Sequence, residues 1–160
     1  MPQNGCDMIV GLTNLPKPPQ LPPNARIKRA FPGDKRRILE FIKERFSENW
    51  VYEAEKAILA EPSKCFIVTI DGVLAGFACY DSSAKGFFGP VGVDPQLRGS
   101  GIGATLLIRT LEAMREYGYG YAIIGWVSDA EGFYRKAVGA EFIKGGEPEH
   151  SVYSQLIYMK

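Results

Sequence analysis

The length, composition and charge of the chain describe one globular unit and exclude several classes of function. The chain has 160 residues, of which 46% are hydrophobic, so it can bury a sizeable core. Its 19 Lys and Arg residues nearly balance its 18 Asp and Glu residues, which leaves a net charge of +1. A chain this close to neutrality has no global field that would favour nucleic acid or an anionic membrane.

The sequence predicts a cytoplasmic protein with reduced cysteines and no metal site. No apolar run reaches the length of a membrane span, and the start of the chain lacks the basic segment and hydrophobic run of an export signal. The three cysteines (Cys6, Cys65 and Cys79) lack the spacing of metal ligands. Cys65 and Cys79 fall in apolar predicted strands, where buried free thiols are expected.

Residues 1–24 are predicted to form a proline-rich arm that precedes a single domain over residues 25–160. The prolines of the segment 15–23 fix the backbone and remove hydrogen-bond donors, which excludes a helix or a central strand. We expect this segment to lie on the domain as an extended strap, and a ligand for a proline-binding domain is the alternative. Residues 8–10 are candidates for a short edge strand.

One strand and two helices are predicted next. Residues 25–31 alternate charged and apolar side chains, which is typical of a half-buried strand. The first helix has one apolar face (Ile38, Leu39, Phe41, Ile42 and Phe46). The second helix is predicted over about residues 51–60.

Three further strands follow these helices. Residues 65–70 and 73–80 are β-rich runs on either side of Asp71-Gly72, a strong signal for an antiparallel hairpin. Residues 87–93 form a third run, which contains Gly89-Pro90. Because proline cannot donate to a ladder, we expect a β-bulge there.

The stretch 98–104 carries three alternate glycines and opens a long helix with apolar periodicity. Glycine lets the backbone turn tightly and approach a ligand, and a helix start leaves N–H groups unpaired, so the stretch predicts an anion site. A nucleotide triphosphate loop is excluded, because Gly103 is followed by Ala104 and Thr105 rather than Lys and Ser. A dinucleotide fingerprint fits only in a relaxed form.

The last third of the chain predicts a buried strand, a helix and two final strands. Residues 121–127 form a continuous apolar run, expected to lie parallel to the strand that ends at Val93 because a helix connects the two. A helix is predicted over about residues 130–138. Strands are predicted at 141–143 and 152–158.

The glycine-containing stretch and the segment around Phe133 resemble motifs of the GNAT superfamily of acetyl-CoA-dependent N-acyltransferases. The family signature is Arg or Gln, two intervening residues, and then Gly-x-Gly or Gly-x-Ala, and it is matched by Arg98, Gly101 and Gly103. Phe133-Tyr134 followed by residues 139–142 resembles the Phe-Tyr helix and Gly-Phe strand of the family. The resemblance covers roughly residues 87–142. It implies a mixed α/β (α+β) GNAT fold: a mostly antiparallel twisted sheet with one parallel splayed strand pair, flanked by about four helices.

The resemblance implies acetyl-CoA as co-substrate and a set of residues that would bind it. The backbone N–H groups of the loop would hold the pyrophosphate, and Val91 and Val93 would pair with the pantetheine arm. The loop residues concerned are Arg98, Gly99, Ser100, Gly101, Ile102, Gly103 and Ala104. Tyr134 matches the tyrosine that the family places beside the thioester sulfur, where it would act as the general acid.

The acceptor side is less constrained by the resemblance. The first two predicted helices would form part of the wall of the acceptor site, with Phe46, Trp50 and Tyr52 as candidate lining residues. Trp126 is a further aromatic candidate. The general base is left open among Glu53, Asp81, Glu147, His150 and water. The family often has Asn where this chain has Val127, and Ser128 could substitute for it.

The sequence therefore predicts an N-acetyltransferase that acts on a primary amine of a small molecule or peptide. The alternative is a non-catalytic acyl-CoA-binding or interaction module with the same fold. Neither nucleic acid nor a membrane is expected as a partner. The oligomeric state is left open, with a homodimer as one arrangement.

Overall fold

Seven strands form one sheet in the computed structural model, which describes residues 5–157. The strands are β1 (Cys6–Gly11), β2 (Ala25–Arg29), β3 (Cys65–Ile70), β4 (Val73–Tyr80), β5 (Phe87–Val93), β6 (Tyr121–Val127) and β7 (Glu141–Phe142). The helices are α1 (Lys35–Arg45), α2 (Glu48–Ile58), α3 (Ile102–Tyr117) and α4 (Glu131–Val138). The strand order is β2-β3-β4-β5-β6-β1-β7, and β5 and β6 are the parallel pair. The predicted mostly antiparallel sheet with one parallel pair is confirmed.

Apolar side chains cover both faces of the sheet, because successive residues of a strand point to opposite sides. In β3, Phe66 and Val68 belong to one core cluster with the apolar side of α3, whereas Cys65 and Ile67 belong to another with α1 and α2. Cys65 and Cys79 are buried free thiols, as expected. None of the helices in the described part of the chain is long and apolar enough to cross a membrane.

The second helix begins earlier than the prediction of residue 51. The Ser47 side chain accepts a hydrogen bond from the backbone N–H of Trp50, so it caps α2 and the helix begins at Glu48. The start therefore includes Trp50 in the first helical turn. Trp50 and Glu53 are nearly one helical turn apart, so they are neighbours on one face of α2.

The expectation of an edge strand at residues 8–10 is wrong, because β1 is an interior strand. It pairs antiparallel with β6 on one side and with β7 on the other. Met8 and Val10 are almost completely buried, so this strand contributes to the core. The proline segment that follows lies against α3, where the Thr105 hydroxyl donates to the carbonyl oxygen of Pro19.

The prediction of a final strand at residues 152–158 is wrong for its described part. Residues Val152–Gln155 form a 3₁₀-helix, and Tyr158 lies outside the described residues. The Ser151 side chain accepts from the Tyr153 N–H at the start of this turn, and its hydroxyl donates to Asp7 of β1. The turn places the Tyr153 ring against Phe87 of β5 and Trp126 of β6, the parallel strand pair.

Candidate functional site

The parallel strands β5 and β6 are paired only at their beginning. The paired positions are Phe87 with Ile123 and Phe88 with Ile124, and the rest of the two strands is not paired in the described structure. On its other side, β5 has one extra residue between the pairs Tyr80–Phe88 and Ala78–Val91, which confirms the predicted bulge. The far half of β5 therefore presents backbone groups to the gap rather than to β6.

A cavity of about 1160 Å³ occupies this gap. Its walls are the open halves of β5 and β6, the start of α3, and residues of α2 and α4. Val91 and Val93, predicted to line a cofactor channel, both line it. A cavity of this size lies slightly above the usual range for small-molecule sites.

One end of the cavity is the glycine loop that precedes α3. Gly99 and Gly101 have φ values of +88° and +82°, which L-residues with side chains rarely adopt. Six of the seven predicted loop residues line the cavity: Arg98, Gly99, Gly101, Ile102, Gly103 and Ala104. Ser100 does not line it, and its hydroxyl donates to the carbonyl oxygen of Leu97. The loop brings a helix N-terminus and an arginine to one place, which suits an anion.

Tyr134 of α4 lies in the cavity wall. Its ring is buried and makes an edge contact with Phe88, with ring centroids 6.3 Å apart. Burial raises the pKa of the Tyr134 phenol well above its ordinary value, and the nearby Tyr153 adds to this effect. The phenol is therefore protonated throughout the neutral pH range and is available as a hydrogen-bond donor.

Among the four candidate bases, Glu53 is the one that lines the cavity. Burial raises the pKa of its carboxyl, and this effect is partly opposed by a hydrogen bond from Ser83 and by the charge of Lys56. A carboxylate with a raised pKa is a better proton acceptor than an ordinary surface carboxylate.

The other three candidates lie elsewhere and have other partners. Asp81 forms an ion pair with Lys64 at 3.0 Å and accepts a hydrogen bond from the Tyr119 hydroxyl. Glu147 and His150 contact each other and are exposed. These contacts hold local structure together, and none of the three residues lines the cavity.

Aromatic side chains form part of the cavity lining. Phe46, Trp50 and Trp126 line it, whereas Tyr52 lies outside the cavity and is 62% exposed. Tyr52 follows Trp50 by two positions, and residues at that spacing do not share a helix face. Ser128 also lines the cavity, next to Val127.

Tyr153 is the site residue that the sequence reasoning missed. Its ring lies directly on Gly125 of β6, where a Cβ would collide with it, and makes aromatic contacts with Phe87 and Trp126. Its hydroxyl donates to Ser83 at 2.7 Å, and burial raises the pKa of Tyr153 to about 12. A signal was present in the sequence, because a glycine inside a buried strand indicates the close approach of another group.

Comparisons with known proteins are consistent with this geometry. A sequence model of the acetyltransferase (GNAT) family matches residues 30–140. No curated protein matches the chain. Among solved structures, a GCN5-related N-acetyltransferase from Sphaerobacter thermophilus is 23% identical to this chain, with a TM-score of 0.69. The match covers 89% of this chain and 50% of the Sphaerobacter chain.

Two other solved structures have the same fold at lower identity. A GCN5-related N-acetyltransferase from Kribbella flavida is 19% identical, with a TM-score of 0.63 over 87% of this chain and 54% of its own. The glucosamine N-acetyltransferase region of a fungal multi-domain GH3 β-N-acetylglucosaminidase is 15% identical, with a TM-score of 0.66 over 87% of this chain and 20% of that protein. The chain thus spans about half the length, or less, of these three structures.

Proposed function

The chain belongs to the acetyltransferase (GNAT) family, and from that premise we propose that it transfers the acetyl group of acetyl-CoA to a primary amine. The observation that carries this proposal is the single cavity that joins the glycine loop, Tyr134 and Glu53. It contains an anion site at one end, a proton donor in its wall and a proton acceptor. Thioester aminolysis needs these three groups.

The loop and β5 are the parts of the chain suited to bind the co-substrate. The backbone N–H groups at the start of α3 would donate to the pyrophosphate, and Arg98 would add positive charge. The open half of β5, including Val91 and Val93, offers unpaired backbone groups to an extended amide-containing arm. An arm bound in this way would direct its thioester towards Tyr134.

Glu53 and Tyr134 would handle the proton and the leaving group. Glu53 takes a proton from the incoming ammonium, and the free amine forms a bond to the thioester carbonyl carbon. The carbon–sulfur bond then breaks, and the electron pair leaves with the sulfur. The nitrogen loses its second proton as the amide forms, and the departing thiolate takes up a proton to give the thiol of coenzyme A. The raised pKa of Tyr134 makes it a weaker acid than a thiol of pKa about 8.5, so its main contribution is a hydrogen bond to the departing thiolate.

Acetyl-CoA-dependent release of thiol in the presence of amines tests this function. The panel should include amines with apolar, anionic, polycationic and sugar bodies, because the family comparisons leave the acceptor open. Turnover with at least one amine is expected. Tight binding of coenzyme A without turnover of any amine would favour a non-catalytic acyl-CoA-binding module.

Gly101→Asp should weaken the binding of coenzyme A by at least tenfold, because it brings a negative charge to the place of the pyrophosphate. Gly101→Asn is the matched control. Asn has nearly the same shape as Asp and tolerates positive φ better than most residues, so it carries the backbone effect without the charge. Calorimetry should therefore show a much smaller loss for Asn. Equal affinities for the two variants would contradict the assignment of the loop.

A further inference from the structure

Trp126 has a backbone conformation that is unusual for a large aromatic residue. Its φ is +49°, in the left-handed region where bulky side chains are rare. Its N–H donates to the Asp7 carboxylate at 2.8 Å, and the same oxygen accepts from the Ser151 hydroxyl at 3.0 Å. Asp7 is 6% exposed. Two segments distant in sequence thus hold this backbone in place, which is how strained conformations persist at functional sites.

The consequence is an aromatic surface in the wall of the cavity. The Trp126 ring is 42% exposed and lies against the Tyr153 ring, with centroids 5.7 Å apart. Tyr153 in turn is fixed by Gly125 beneath its ring and by the hydrogen bond of its hydroxyl to Ser83. We call Trp126 and Tyr153 the aromatic pair.

Carboxylates outnumber cationic side chains among the described residues that line the cavity. The Tyr153 hydroxyl donates to Ser83, and the hydroxyl of the adjacent Ser82 donates to the carbonyl oxygen of Glu53. Glu53 therefore lies close to the pair, and its charge contributes to the raised pKa of Tyr153. Asp129 is the other carboxylate among the described lining residues, and Arg98, in the glycine loop, is the only cationic one. Lys56 acts on the charge of Glu53, but it donates to the Ser82 carbonyl oxygen and does not line the cavity. Among the described lining residues near the aromatic pair there is therefore no cationic partner for an anionic group of an acceptor. An ammonium group near aromatic faces and a carboxylate is favourable there.

We propose that the acceptor is a primary monoamine with a flat apolar body and no carboxylate, whose body stacks on the aromatic pair and whose amine reaches Glu53. This proposal rests on the proposed function and names its acceptor class. An amino acid would bury its carboxylate without a cationic partner, which is costly. A polyamine or an amino sugar would leave additional charges or hydroxyl groups without partners on the aromatic rings.

Fluorescence can test the proposal directly, because Trp50 and Trp126 are the only tryptophans of the chain and both line the cavity. Trp50→Phe leaves Trp126 as the single reporter. In this variant with coenzyme A present, 2-phenylethylamine should give a saturable change in the Trp126 emission. L-phenylalanine, spermidine and glucosamine should each bind at least tenfold more weakly. Tighter or equal binding of any of these three, or no saturable binding of 2-phenylethylamine, would overturn the proposal.

Two variants of Tyr153 separate stacking from other effects. Tyr153→Leu should weaken the binding of 2-phenylethylamine about tenfold or more, because the aromatic face on which the amine stacks is lost. Tyr153→Phe keeps the ring and should bind within a few-fold of the parent. The affinity for coenzyme A reports whether each variant is folded. Unchanged amine affinity in folded Tyr153→Leu would also overturn the proposal.

Turnover of the same panel distinguishes this proposal from the proposed function. Selective binding of 2-phenylethylamine without thiol release from any amine would leave the acceptor site in place and refute catalysis. Thiol release that is fastest with L-phenylalanine, spermidine or glucosamine would support the enzyme and refute this acceptor class.

Discussion

Tyr134→Phe should lower kcat about 100-fold and leave the affinity for acetyl-CoA nearly unchanged. The substitution keeps the ring, so the edge contact with Phe88 and the contact with Phe133 are retained. It removes only the hydroxyl that would stabilise the departing thiolate. A 100-fold loss corresponds to roughly 2.7 kcal/mol of activation free energy. Steady-state kinetics with thiol detection measures the rate, and calorimetry measures the affinity.

Tyr117→Phe is the matched control for this prediction. Tyr117 ends α3, is 62% exposed and does not line the cavity, so the kcat of the Tyr117→Phe variant should equal that of the parent protein.

Burial raises the pKa of Tyr134, so ionisation of this phenol should produce no fall of kcat between pH 6 and about pH 9.5. A Tyr134→Phe rate close to that of the parent, with chemistry rate-limiting, would remove this hydroxyl from the mechanism.

Glu53→Gln should lower kcat/KM about 100-fold or more and change its dependence on pH. The base acts in its ionised form, so activity should rise with pH through the pKa of Glu53. Burial raises that pKa, which moves this rise above the ordinary carboxyl value of about 4.3. The charge of Lys56 partly opposes this rise of the Glu53 pKa, and the charge of Glu53 in turn raises the pKa of Cys79 and of Tyr153. In the glutamine variant the rise of activity with pH should be absent.

The same substitution should increase stability at pH 8. A carboxyl whose folded pKa is raised opposes folding when it ionises, so its cost is absent below the unfolded pKa and complete above the folded pKa. Glutamine stays neutral, so thermal denaturation should give a higher Tm for Glu53→Gln than for the parent at pH 8, and a smaller difference at pH 4. Such an exchange of stability for activity is typical of functional residues.

Glu55→Gln provides the control on the same helix. The Glu55 side chain is 47% exposed and forms a surface ion pair with Lys35 at 3.6 Å, so its removal should change neither activity nor Tm appreciably. If Glu53→Gln keeps the kcat/KM and pH profile of the parent, water rather than Glu53 accepts the proton.

Local sequence patterns determined most of the elements and one end of the site. The hairpin at Asp71-Gly72, the strand at residues 121–127 and the helix that begins at Ile102 all follow from hydrogen bonding and burial within short segments. The glycine loop could be predicted for the same reason. Its positive φ values and its place before a helix are properties of consecutive residues.

The other end of the site was decided by the tertiary structure. No short segment specifies that β1 lies between β6 and β7, because a strand's neighbours depend on which distant segments compete for the same ladder. That position brings Asp7 to the Trp126 N–H and to Ser151, and the turn after Ser151 carries Tyr153 into the cavity. Glu53, likewise, could not be separated from Asp81, Glu147 and His150 by sequence. Its exceptional property is burial beside the cavity, which depends on how α2 packs against the sheet.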